Sequence, residues 1–262
     1  MAEESKMNNI PVVILAGGSG TRLREMTEFI PKCMIPIGGK PMLVHIINWY
    51  RKFGFCKFIL ALGYKQEIIK DYFAHYDIIN NDVTIDIGRY AGSRCNNSSH
   101  DTWTVTMVDT GEHTLKGGRL KQVEKYIDVN TFMACYGDGI SNIDMNKLLS
   151  FHQSHGKIVT ITGVHPPARF GEIVREGTKV ISFAEKLPNT ADLINAGFFV
   201  FNKEIFNYLT EDCDLEIGTL EQIAKNAEMQ IYHHKEYWAC MDNISEMNKL
   251  RELWDSGNAL WK

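Results

Sequence analysis

Thr21, Arg22 and Lys32 combine the residue types and the spacing that could do chemistry in this chain. The first two lie in Leu15-Ala16-Gly17-Gly18-Ser19-Gly20-Thr21-Arg22-Leu23, and the third in Ile30-Pro31-Lys32-Cys33-Met34. Three glycines in four positions leave a loop almost bare of side chains. A polyanion can approach such a backbone closely and be held by its N–H groups. Thr21 adds a hydroxyl, Arg22 a fork of charged donors and Lys32 a mobile ammonium. The pattern is that of a polyphosphate cradle carrying its own positive charge. Neither common phosphate motif is present. Leu23 stands where G-x-G-x-x-G requires its third glycine, and no Gly-Lys-Ser/Thr closes a P-loop. The plainer reading is a glycine turn beside two solvated cations, and the company of Thr-Arg and Pro-Lys weighs against it.

Two carboxylates could accompany this loop. Asp138, in Tyr136-Gly137-Asp138-Gly139, follows an apolar run and is either a turn residue or a magnesium ligand. Asp242, in Met241-Asp242-Asn243, is either a second ligand or a helix N-cap ahead of Ser245–Leu253. The spacing alone does not pair them. Lys186 and Arg169 read by default as solvated cations. His233-His234 is a poor metal pair, because neighbours on a strand face opposite ways. Cys33, beside Lys32, reads as a small gap-filling side chain.

L-A-G-G-x-G-T-R-L followed by P-K-x-M resembles the signature of the sugar-1-phosphate nucleotidylyltransferases. The likeness runs along almost the whole chain. Gly117-Gly118-Arg119-Leu120-Lys121, Arg169-Phe170-Gly171, Glu185-Lys186, Asn195-Ala196-Gly197-Phe198-Phe199 and the closing Leu253-Trp254…Trp261-Lys262 resemble the glucose-1-phosphate cytidylyltransferase branch. The resemblance implies an Mg²⁺-dependent enzyme that transfers CMP from CTP to a phosphorylated small-molecule acceptor and releases pyrophosphate. It implies Arg22 and Lys32 as catalytic residues and Asp138 and Asp242 as the metal pair. Leu15, Ala16, Gly17, Gly18, Gly20, Thr21, Thr114, Arg119 and Gly137 would bind the nucleotide, with Thr114 and Arg119 at the cytosine. Lys186, Glu185, Arg169 and Asn195 would bind the acceptor.

Four positions depart from the branch pattern: Cys33 for a proline, Ala196 for a glycine, Asn243 for a threonine, and Gly218-Thr219 for a Glu-Pro. Three lie on the acceptor side, so the acceptor is the more open question. Glucose 1-phosphate giving CDP-glucose is the first expectation. Another acceptor phosphate for capsule or surface polysaccharide, including a phosphorylated amino acid, is the second, and UTP or dTTP with a sugar phosphate the third. A non-catalytic nucleotide-sensing subunit would have lost Arg22, Lys32 or an aspartate, and all are present.

Composition narrows the setting. The chain has 262 residues, 44% hydrophobic and 23% charged, enough for one good core. A net charge of −4 supplies no basic field for nucleic acid. No apolar run is long enough for a membrane helix, and the polar Met1–Lys6 is no secretory signal. Six cysteines without C-x-x-C pairing suggest reduced thiols in the cytoplasm. The family resemblance adds an expected homo-oligomer.

The elements that must position these residues alternate. Strands are expected over Val12–Leu15, Lys57–Leu62, Val83–Ile87, Trp103–Val108, Phe132–Tyr136 and Ile158–Gly163. Helices are expected over Met42–Phe53, Gln66–Ala74, Lys116–Val123 and Asn142–Gln153. Further on, Ile173–Arg175, Val180–Ala184, Ala196–Phe201 and Met229–His233 read as strands, and Lys203–Tyr208, Thr219–Asn226 and Ser245–Ser256 as helices. The fold expected is α/β: a Rossmann-like, mostly parallel sheet flanked by helices, with a smaller mixed acceptor-binding subregion. One domain would span 1–262, with a nucleotide-binding half at about 10–163 and an acceptor-binding half at about 164–262. The polar segment Arg89–Asp101 is expected to be a loop, with Arg89 and Arg94 as phosphate or subunit contacts.

Overall fold

Val12, Ile14 and Ala16 point into one apolar cluster while Val13 and Leu15 point into another. That alternation makes Pro11–Ala16 (β1) a strand buried on both faces, which is why its sequence is apolar at every position. A computed structural model describes residues 9–84, 94–95, 102–166, 171–185 and 193–262. Around β1 lie Lys57–Leu62 (β2), Thr104–Asp109 (β3), Thr131–Tyr136 (β4), Val159–Val164 (β5), Ile194–Asn202 (β6) and Met229–His233 (β7). They form one seven-stranded sheet in the order β7-β5-β6-β4-β1-β2-β3.

The sheet is mostly parallel: β1 pairs in parallel with β2 and β4, β2 with β3, and β5 with β7. The exception is β6, antiparallel to both β4 and β5. A strand from the second half of the sequence thus sits inside the sheet. Its Phe198 and Val200 enter one core and Phe199 and Phe201 the other.

Helices cover both faces. Met42–Lys52 (α1), Gln66–Ala74 (α2), Met145–His155 (α4) and Ile244–Asp255 (α6) contribute buried residues to the first cluster. Lys116–Gln122 (α3) and Glu221–Lys225 (α5) contribute to the second. Truncating a fully buried member such as Ile14 to alanine should cost about 2–5 kcal/mol.

Outside the sheet, Gly171–Glu176 pairs with Lys179–Glu185, and Arg94–Cys95 pairs with Val83–Thr84. Arg94 is therefore in a strand pair rather than a loop, and Arg89 lies outside the described residues. The helix expected over Lys203–Tyr208 is a tighter 3-10 turn over Lys203–Asn207. The helix expected from Thr219 is preceded by a kinked segment, Leu215–Leu220, that bends at Ile217 and Gly218. Among the described residues no helix is long and apolar enough to cross a membrane.

Candidate active site

The carboxyl ends of β1, β2, β3 and β4 lie on one edge of the sheet, and β1 has β2 on one side and β4 on the other. Strand order reverses there, and ligands of open α/β sheets collect at such a point. A cleft of about 440 Å³ opens at this place. Leu15, Ala16, Gly17, Gly18, Gly20, Thr21, Arg22, Lys32, Thr114, Arg119, Gly137, Asp138 and Asp242, all singled out in the sequence, line it.

The glycine loop is pinned by backbone contacts. Gly17 O accepts from Tyr64 N at 3.1 Å, and Gly137 N donates to Leu15 O at 3.1 Å. Gly20 has φ 61°, and a Cβ there would lie 2.9 Å from both Lys32 Cβ and Thr27 Cγ2. Position 20 therefore needs glycine for conformation and for space. Thr27 Oγ1 donates to Gly20 O at 3.1 Å, and Tyr64 Oη donates to Thr27 O at 2.9 Å. Tyr64, whose part the sequence leaves open, thus braces the loop from β2.

Lys32 begins a single 3-10 turn, Lys32–Met34, anchored by buried Cys33 and Met34. Its Nζ donates to Asp138 Oδ2 and to Asp242 Oδ1, both at 2.6 Å. Arg22 Nη1 donates to the other oxygen of Asp242 at 2.7 Å. Burial alone would lower the Lys32 pKa, but contact with Asp138 and then Asp242 outweighs it and holds the ammonium above its ordinary value. Burial, reinforced by Asp138, pushes the Cys33 thiol up to about 12, so it stays protonated and packs as an apolar group. This is the gap-filling role expected of it.

Asp138 and Asp242 are far apart in sequence, and a short sheet brings them together. Gly139–Ser141 pairs with Trp238–Cys240, and Met241 N donates to Asp138 O at 3.0 Å. Asp242 is not the cap of α6; Asn243 is, accepting from Glu246 N at 3.0 Å. Glu246 in turn accepts from Asp242 N at 2.8 Å, a reciprocal capping arrangement. Asn243 therefore caps the helix, and Asp242 is left to face the cleft.

Cys240, Asp242 and Glu246 also come close enough to share an ion. Burial pushes the Cys240 thiol up to about 12, and Glu246 already accepts from the backbone, so this trio is a poor ligand set. Asp138 with Asp242 is the better pair. They already hold one cation, the Lys32 ammonium, between them, and two carboxylates suit a hard divalent ion.

Arg119 is anchored by the backbone. Nη1 donates to Leu62 O, Thr110 Oγ1 and Gly111 O, and Nη2 to Gly17 O and Glu112 O, at 2.7–3.1 Å. It lines the cleft while fastening the ends of β1, β2 and β3 together. To read a base through these nitrogens it would have to release those carbonyls. Its helix packs closely: Gly118 N donates to Cys213 O at 3.0 Å, and a Cβ on Gly118 would lie 2.2 Å from Glu211 O. The glycine pair is thus a packing device in α3.

Sequence reasoning missed Leu115, Lys116 and Asp214 as cleft residues and treated Tyr136 as a strand end. Tyr136 Oη donates to Glu216, and Lys116 Nζ pairs with the same carboxylate oxygen. Asn195 Oδ1 accepts from Gly197 N at 2.8 Å. Burial and then Glu216 hold the Tyr136 phenol neutral, far above its ordinary range. The one available signal was Asp214, whose carboxylate accepts from Glu216 N and Ile217 N and so caps Leu215–Leu220. Of the other expected acceptor residues, Glu185 ends its strand, and Arg169 and Lys186 lie outside the described residues.

A sequence profile described as Nucleotidyl transferase matches residues 11–258. A glucose-1-phosphate cytidylyltransferase of Salmonella typhi is 40% identical over 252 residues, covering 95% of this chain and 98% of that protein. A D-glycero-alpha-D-manno-heptose 1-phosphate guanylyltransferase of Campylobacter jejuni is 32% identical over 197 residues, covering 74% of this chain and 77% of that one. Among solved structures, HddC of Yersinia pseudotuberculosis, complexed with GMP-PN, superposes with a TM-score of 0.66 at 25% identity. That match covers 94% of this chain and 99% of that one.

Proposed function

The chain belongs to the nucleotidyl transferase family, and on that premise we propose that it transfers CMP from CTP to glucose 1-phosphate, releasing pyrophosphate and forming CDP-glucose. The observation that carries the reading is the convergence of Arg22, Lys32, Asp138 and Asp242 on the mouth of a glycine loop, in a chain 40% identical along nearly its whole length to a cytidylyltransferase.

In this reading the acceptor phosphate oxygen attacks the α-phosphorus of CTP, forming one P–O bond as the bond to pyrophosphate breaks. A phosphate monoester, with its second pKa near ~6, is already anionic at neutral pH, so no general base is needed. Cys33 and Tyr136, both in the cleft, stay protonated and do not act as bases. The work is positioning and charge neutralisation. The Gly17–Thr21 amides and Arg22 hold the departing β and γ groups. Lys32 bridges the nucleophile and the α-phosphate. Asp138 and Asp242 would hold a divalent ion, taken to be magnesium, which when bound supplies positive charge at the α-phosphate. Thr114 and Arg119, which line the cleft, are assigned to the cytosine. Asn195, Glu185, Arg169 and Lys186 are assigned to the acceptor. The free cysteines among the described residues suit a reducing cytoplasm, from which CDP-glucose would supply surface polysaccharide synthesis.

Pyrophosphate release should be measured with CTP, UTP, dTTP and GTP, each with and without glucose 1-phosphate. Release with CTP that requires glucose 1-phosphate is expected. No release with CTP under any acceptor would defeat the reading.

A further inference from the structure

Lys32 Nζ lies 2.6 Å from a carboxylate oxygen of Asp138 and 2.6 Å from one of Asp242, and Arg22 holds the remaining cleft-facing oxygen of Asp242 at 2.7 Å. We propose that the Lys32 ammonium occupies the divalent-cation position in the ligand-free protein, so that the metal cannot bind tightly until a polyphosphate draws Lys32 away. The inference rests on the functional reading above and adds an order of assembly to it.

The charges make the case. Two carboxylates face two cations, so the pair has little net negative charge with which to attract a divalent ion. An incoming ion would also meet an ammonium at contact distance, where like charges repel strongly. Lys32 is largely buried, with 13% of its side chain exposed, so water does little to screen that repulsion. Its backbone is fixed in the turn Lys32–Met34, while its four-carbon stem is flexible. The ammonium can therefore swing without moving the protein.

A triphosphate provides what the swing requires. It offers oxygens to Lys32 and Arg22 beside the loop amides, and it releases both carboxylates at once. Metal and nucleotide then bind with positive coupling, and the coupling passes through Lys32. The same exchange seats Lys32 on the phosphate that it must stabilise. An ordinary salt bridge that only stabilised the fold would give no such coupling.

The test is Mn²⁺ binding to the whole protein without nucleotide, followed by water-proton relaxation, which reports the ion on a slowly tumbling macromolecule. Wild type should bind Mn²⁺ alone no more tightly than roughly 1 mM. Lys32→Gln should bind it at least about tenfold more tightly, and Lys32→Arg should behave as wild type. Asp138→Asn placed in the Lys32→Gln background should abolish the gain. Equal Mn²⁺ affinity in wild type and Lys32→Gln overturns the inference, as does a gain that survives Asp138→Asn. Should Lys32→Gln not fold, tight Mn²⁺ binding by wild type alone still overturns it. Failure of the functional reading looks different: no Mn²⁺ would be retained even with α,β-methylene-CTP present.

Discussion

At the scale of single residues, the proposed chemistry turns on Lys32. Its Nζ is within hydrogen-bonding distance of both Asp138 and Asp242, and the reaction asks it to bridge two anions. Lys32→Ala should lower kcat by about 10²–10³, the cost of removing one donor from developing negative charge. Steady-state pyrophosphate release, with circular dichroism to confirm folding, checks this, and near-full activity would contradict the assignment. The residues of the cradle were legible in the sequence because glycine, hydroxyl and cation follow one another along a single loop. The partnership of Tyr136, Glu216 and Lys116 was not, because Tyr136 and Glu216 are separated by most of the second half and neither stands in a phosphate-like pattern. Arg119 lines the cleft, but the bonds from its terminal nitrogens to three strand ends were not legible, because those backbone acceptors meet only in the folded sheet.

At the scale of elements, the position of Asp242 depends on how α6 begins. Asn243 caps the helix and Glu246 holds Asp242 N, so the start of α6 aims one carboxylate at the cleft. Asn243→Ala should cost about 1 kcal/mol and lower Tm by about 2–4 °C, while Asn243→Thr should retain most of the stability. Differential scanning calorimetry checks both, and an unchanged Tm in the alanine variant would mean that the cap is not formed. Helix and strand periods revealed most elements, because β1 is apolar throughout, β2 and β4 are apolar after a polar first residue, and α1 has an apolar stripe. They could not reveal that β6 runs antiparallel between β4 and β5, since direction leaves no mark on an apolar run. Nor could they pair Asp138 with Asp242. That pairing needs the three-residue strands Gly139–Ser141 and Trp238–Cys240, too short to show a period.

At the scale of the whole molecule, the buried histidines set a pH limit on stability. Burial holds His45, His152 and His234 below the ordinary histidine pKa, opposed in His45 by the Ile37 carbonyl and in His234 by the Tyr237 carbonyl. The unfolded chain therefore binds more protons than the folded one from the unfolded pKa of about 6.5 downward, and stability falls as pH falls. Urea unfolding between about pH 8 and pH 5 should show a plateau above about 6.5 and a decline below it, with a shallower decline in His234→Gln. A stability that rises on acidification would refute this.

The fold brings Arg22, Lys32, Asp138 and Asp242 to one switch point, where they are proposed to move a cytidylyl group onto an acceptor phosphate. The direct measurement supplies CTP labelled with ³²P at the α-position together with glucose 1-phosphate. The label should appear in CDP-glucose, in equal amount to the pyrophosphate released, and no label should be transferred when glucose 1-phosphate is omitted. Label that stays in CTP, or that appears only as CMP, would contradict it.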